Sequence, residues 1–168
     1  VFIFYFYGKD LPSFDKLSYY QPRLVSKIFT SNGNFLEDYS TENRIFSSYE
    51  EIPKELINCF LVSEDINFFS HIGIDYKGIL RAFLKNILKT FSNKRLEGAS
   101  TITQQVAKNF LLTNEISYTR KIKEIIIALR MEKVLEKKQI MELYLNEIYL
   151  GNGSYGIASA SLNYFNKS

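Results

Sequence analysis

At 168 residues, with 46% apolar and 23% charged side chains, the chain is long enough for one domain with a sizeable core and too apolar to stay disordered. A net charge of +3 is too small for a dedicated nucleic-acid binder, so no nucleic-acid partner is expected and any anion binding must come from local clusters of charge. A single cysteine, Cys59, excludes an internal disulfide framework, and a single histidine, His71, leaves no zinc site; both are read as structural.

The chain opens with VFIFYFY, ending at Gly8, whereas a membrane-spanning helix needs roughly 20 apolar residues. Residues 1–7 are either a buried or interfacial strand or the remnant of a membrane anchor, and a first residue other than Met favours the anchor. Residues 8–50 carry two of the three prolines and many Ser, Tyr and Thr, which predicts an extended lead-in with a hairpin about Asn32-Gly33.

From residue 51 the pattern turns helical. Pro53 suits a first turn, and Leu56, Ile57, Phe60 and Leu61 form a buried stripe that ends at Ser63-Glu64-Asp65. Asp75 is placed to cap a helix through Phe91, in which Ile79, Leu80, Phe83, Leu84, Ile87 and Leu88 are apolar while Lys77, Arg81, Lys85 and Lys89 recur every four residues. That composition fits a helix lying in a membrane interface, and equally a partly buried helix with a solvated basic side.

Residues 98–112, GASTITQQVAKNFLL, place Thr101, Gln104, Gln105 and Lys108 on one face, and Ile102, Val106 and Phe110 on another. Gly98 would let backbone approach closely. Thr101 and Gln104 have capping-box spacing, which puts free N–H groups and a positive dipole end near the polar face. An anionic or hydroxyl-rich ligand fits that face; a solvated helix with a good cap fits it too. A further helix, roughly 118 to 137, has Ile122, Ile125, Ile126 and Leu129 on its core side and Arg120, Lys123 and Glu124 on another, followed by a helix in KKQIMELYLNEIYL and a small-residue segment, GNGSYGIASAS.

Two strings mislead. Gly151, Gly153 and Gly156 fit G-x-G-x-x-G, but they follow a helical pattern with no βαβ unit around them, so no dinucleotide site is expected. Ser13-Phe-Asp-Lys16 fits S-x-x-K, yet it lies in the extended lead-in without the partner motifs a nucleophilic serine needs.

Three strings in order, EDINFFSHIG at 64–73, GASTITQQVAKN at 98–109 and RKIKE at 120–124, with IMELYLNEIYLGNGSYGIASAS after them, closely resemble the peptidoglycan glycosyltransferase domain of class A penicillin-binding proteins. DLPSFDKLSYYQPRLVSKIF and ENRIFSSYEEIP look like the segment joining anchor to catalytic domain in that family. The resemblance implies a mainly α, lysozyme-like fold over residues 51–168, with a short extended or β lead-in, an incomplete C-terminal end and no transpeptidase domain. It also implies polymerisation of lipid II into β-1,4 glycan with loss of the lipid diphosphate, at the outer, periplasmic face of a bacterial cytoplasmic membrane reached through a single-pass anchor. The expected partners are lipid II, the growing glycan strand, the membrane and other cell-wall synthesis proteins.

Residue by residue, the resemblance makes Glu64 the general base toward the acceptor 4-hydroxyl, with its pKa raised toward working pH, and Glu124 the second catalytic carboxylate, orienting cations or a divalent metal. Asp65 would orient the loop or a cation. Arg81, Lys108, Arg120 and Lys123 would offset diphosphate charge, and Ser100, Thr101 and Gln105 would hold sugar or phosphate oxygens. No obligatory cofactor and no protein-held metal are expected, with a divalent cation such as Mg at the diphosphate left open. Because an α-linked donor becomes a β-linked product, the reaction would invert. Ile116 stands where the family commonly has an arginine. A membrane-surface lipid II-binding module and a lysozyme-like glycan-cleaving enzyme remain the alternatives, though the latter needs no cluster of cations beside its glutamate.

Overall fold

Pro53, at φ −57° and with no N–H to leave unpaired, ends an extended segment and starts helix α1 (Lys54–Glu64), its carbonyl accepting from Leu56 and Ile57 N–H. The computed structural model describes residues 7, 11, 26–39, 43–89, 98–111 and 117–167. Ile57 is buried and Leu56, Phe60 and Leu61 pack against the core, as the stripe predicts. Cys59 departs from expectation: it faces outward and is exposed.

Before α1, strands β1 (Ser26–Phe29) and β2 (Phe35–Tyr39) pair antiparallel, closed at Gly33 (φ +78°), with Asn34 N–H donating to Thr30 Oγ1 at 3.0 Å. This is the hairpin that Asn32-Gly33 predicts. Residues 1–6, Ser13, Lys16 and the other parts of the lead-in that bear on the anchor lie outside the described residues.

Helix α2 (Tyr76–Lys89) is capped as expected: Asp75 Oδ1 accepts from Gly78 N–H at 2.9 Å, and its Oδ2 accepts from Asn67 Nδ2 at 2.9 Å. Burial works to raise the Asp75 carboxyl, but those two hydrogen bonds together hold it below the ordinary value of 3.8. A carboxylate depressed in the folded state contributes stability above 3.8 that is lost as pH falls through its folded value. Asp75→Ala is therefore expected to cost about 0.5–2 kcal/mol at neutral pH and to flatten the acid side of the stability curve. An unchanged melting temperature at neutral pH would remove the cap from this account.

The core lies where α3 (Ile102–Leu111), α4 (Tyr118–Val134) and α5 (Lys137–Glu147) meet, with Ile102, Val106, Ile127, Met131, Ile140, Met141 and Leu145 almost fully buried. Six helices and four short strands among the described residues make the architecture mainly α. The helix expected over 118–137 ends at Val134: Leu135 N–H closes on Met131 O, and Glu136 with Gln139 then forms a capping box that starts α5. Its buried face is also rotated from the expected one. Glu124, Ile126, Ile127, Ala128 and Met131 are buried, whereas Ile122, Ile125 and Leu129 are only half-buried.

The pairing that sequence reading did not foresee joins the two ends of the domain. Strand β3 (Asn43–Arg44) runs parallel to β4 (Ser154–Tyr155), between α5 and α6 (Ile157–Phe165). The following residues form a strap on α5: Ser47 N–H donates to Asn146 Oδ1 (2.9 Å), Tyr49 N–H donates to Glu142 Oε2 (2.6 Å), and Arg44 pairs with Glu147. Gly156 (φ +82°) is required here because a Cβ would fall 2.6 Å from the Asn146 carbonyl oxygen.

Candidate active site

Asp65 organises the loop between α1 and α2. It is 6% exposed and both its oxygens are used: His71 Nε2 donates to them at 2.9 and 3.0 Å, and Ile102 N–H donates to Oδ2 at 3.1 Å. Ile102 opens α3, so Asp65 satisfies an otherwise orphan N–H of a helix 37 residues further along the chain. His71 Nδ1 accepts from Gly73 N–H (3.1 Å), and Thr101 Oγ1 donates to Gly73 O (2.7 Å). The loop after α1 is thus fastened at both ends to the start of α3.

These contacts frame a cleft of about 310 Å³ lined by Val62–Ile66, by Asp75, Gly78 and Arg81 of the α2 end, and by Gly98–Thr101. Of the residues predicted from sequence, Glu64, Asp65, Arg81, Ser100 and Thr101 line it together. Glu64, the last residue of α1, is exposed, and its Oε2 accepts from Gln105 Nε2 at 2.9 Å. A neutral amide holds this carboxylate, and among the described residues no cation pairs with it, which leaves lone pairs open to a substrate proton.

The polar face expected on α3 is largely turned inward. Thr101, Thr103 and Gln104 are buried, and the capping box is closed: Thr101 N–H donates to Gln104 Oε1 (2.9 Å) and Gln104 N–H to Thr101 Oγ1 (3.2 Å). With Ile102 N–H taken by Asp65, these N–H groups are not free for an anion. Only Gln105 and Lys108 carry that face toward the surface. Among the described residues nothing lies within 4 Å of where a Cβ on Gly98 would stand, so the space beside it is open.

Glu124 is 3% exposed and pairs with Lys121, whose Nζ also donates to Ser100 Oγ at 2.8 Å. Lys121 therefore bridges the buried carboxylate to the cleft wall. Sequence reading passed over it in favour of Lys123, although Lys121 stands one helical turn before Glu124, a spacing that pairs side chains. Glu124, Lys108, Arg120 and Lys123 do not line the cavity, and the expected outward polar face of α4 is instead a buried carboxylate with half-buried Arg120 and Lys123 beside it. Ser117 caps α4 by accepting from Arg120 N–H at 3.1 Å. Ile116, Lys94 and Arg95 lie outside the described residues.

The transglycosylase family model matches residues 32–168. The chain belongs to the transglycosylase family. Penicillin-binding protein 1A of Rickettsia prowazekii (strain Madrid E) is 50% identical over 167 residues, 99% of this chain and 21% of that protein. Penicillin-binding protein 1A of Neisseria flavescens is 44% identical over 158 residues, 94% of this chain and 19% of its own length. The chain thus spans about a fifth of the curated relatives it matches. Its transglycosylase domain is of the class A penicillin-binding type that the ordered motifs anticipate.

Among the described residues no three His, Cys, Asp or Glu side chains of this transglycosylase domain converge, Asp65 is fully committed, and Glu124 is ion-paired with Lys121.

Proposed function

We propose that this transglycosylase domain polymerises lipid II into β-1,4 glycan, Glu64 removing the acceptor 4-hydroxyl proton as that oxygen attacks the donor anomeric carbon and the lipid diphosphate departs from the opposite face. Attack opposite the leaving group inverts the α-linked donor and needs no covalent intermediate. The observation that carries the reading is Glu64 at the lip of a cleft it shares with Arg81, held by an amide and, among the described residues, by no cation. Arg81 in the cleft and Lys121 on its Ser100 wall supply positive charge for a diphosphate whose charge grows as it leaves, and Lys108, Arg120 and Lys123, outside the cleft lining, take the same role from the family motifs. Ser100 and Gln105 present oxygens and amide hydrogens to sugar hydroxyls. Asp65 and Thr101 act as the frame, and Glu124 holds Lys121 against the Ser100 wall.

Incubation with lipid II and separation of the products by size tests the proposal. Polymer supports it, whereas cleavage of added glycan without polymer, or binding without turnover, overturns it.

No helix among the described residues is long and apolar enough to cross a membrane. Helix α2 instead offers a surface suited to lie on one. Only Ala82 of it is buried, while Leu80, Phe83, Leu84 and Leu88 are 55–74% exposed beside the basic row of Lys77, Arg81, Lys85 and Lys89. That exposure favours the interfacial helix over the partly buried one and fits a substrate with an isoprenoid tail at the outer face of a cytoplasmic membrane. Replacing Lys77, Lys85 and Lys89 by Gln is expected to weaken binding to anionic vesicles by about 1 kcal/mol per charge, an effect that added salt reproduces. Equal vesicle binding by variant and parent would sink this assignment.

A further inference from the structure

Tyr144, in the middle of α5, is 1% exposed, and its hydroxyl has no hydrogen-bond partner among the described residues. A buried hydroxyl without a partner is destabilising, and a phenylalanine would fill the same space without that penalty. Its ring meets Phe60 edge-on, with centroids 5.9 Å apart and planes at 81°. Phe60 is one helical turn before Glu64 on α1, so the Tyr144 ring packs on the side of α1 that carries the proposed base one turn further on. Burial, and after it the Glu64 charge, push the Tyr144 phenol well above its ordinary value. The Glu64 hydrogen bond to Gln105 uses Oε2, and Oε1 has no partner among the described residues.

We infer that Tyr144 is a positioning residue for Glu64, its hydroxyl donating to Oε1 directly or through one water when substrate occupies the cleft. The inference rests on the reading of Glu64 as base. Two orthogonal donors, Gln105 from α3 and Tyr144 from α5, would then fix the carboxylate plane toward the acceptor oxygen while leaving one lone pair for its proton. Asp65, Asp75 and Arg81 are the other ionisable groups lining the same cleft, and none of them supplies a second neutral donor.

The test is Tyr144→Phe, read in three ways on the same protein. Melting temperature is expected to hold or rise, since only an unpartnered hydroxyl is lost. With lipid II, kcat is expected to fall about tenfold with KM little changed, and the acid limb of the pH profile to move up by about one unit, because a carboxylate that loses a donor is easier to protonate. Carbon-13 titration of the Glu64 carboxyl with a non-reacting lipid II analogue bound is expected to move in the same direction, and it reads the pair without any turnover. An unmoved Glu64 titration in folded Tyr144→Phe with that analogue bound overturns the inference. So does a Tyr144→Phe loss that persists undiminished in a Glu64→Gln background, since the hydroxyl would then act elsewhere. Near-parent turnover by Glu64→Gln alone, with the titration still shifted, would instead reject Glu64 as base and leave the Tyr144–Glu64 pairing established.

Discussion

Glu64→Gln is expected to fold like the parent, keep its substrate affinity and lose polymerisation by roughly 10²- to 10⁴-fold, the range a positioned general base contributes. Glu64 is exposed and, among the described residues, makes one neutral side-chain hydrogen bond and no ion pair, so exchanging its carboxylate for an amide breaks no ion pair there and opens no cavity. The amide oxygen can still accept from Gln105 Nε2, which keeps the side chain in place. It cannot take the acceptor proton. The loss should therefore appear in kcat and not in KM, measured as the initial rate of glycan formation from lipid II. Parent-like turnover from a variant with the parent's melting temperature would eliminate Glu64 as the base.

The second large effect is expected at its neighbour, and on stability before chemistry. Asp65→Ala leaves His71 Nε2–H and Ile102 N–H buried without acceptors and removes a carboxylate that is 6% exposed, a change of the kind that costs about 3–5 kcal/mol. For a domain of this size that corresponds to a fall in melting temperature of roughly 10 °C. Asp65→Asn should lose less, because one oxygen remains to accept. A fall of only a degree or two in Asp65→Ala would show that the loop and α3 are held by other means. Adjacent residues thus divide the work: Glu64 faces solvent and is free to react, while Asp65 faces inward and sets the geometry around it.

Local rules made several elements legible. Pro53 before α1, Asp75 before α2 and Gly33 in the hairpin each fix the backbone through one residue, and each stands where the sequence predicts. Helical projection was less informative about polar groups. It placed Thr101 and Gln104 on one face with Gln105 and Lys108, but it cannot tell which polar side chains a helix end consumes for its own N–H groups. Nor does it distinguish an outward Glu124 from one buried against Lys121, because that depends on a partner element. Tyr144 was hidden for another reason: in ELYLN it reads as part of an apolar stripe, and only the three-dimensional structure shows its hydroxyl unpartnered and its ring against Phe60 of α1. The β3–β4 pair was illegible because strands of two residues carry no period.

The strap on α5 sets an order of assembly. Arg44 meets Glu147 103 positions later, and Ser47 meets Asn146 99 positions later. Closing so long a loop adds little to the entropic cost, which grows only with the logarithm of length, but contacts this distant form late. A ribosome delivers residues 43–49 about a hundred residues before their seat exists, and chains of this kind fold as synthesis proceeds. Until α5 and β4 emerge, Arg44 and the edge of β3 lack the partners they pair with in the folded domain. Emergence of α5 and of the Gly156 turn completes the seat, so the strap is fastened only when nearly the whole domain has left the ribosome.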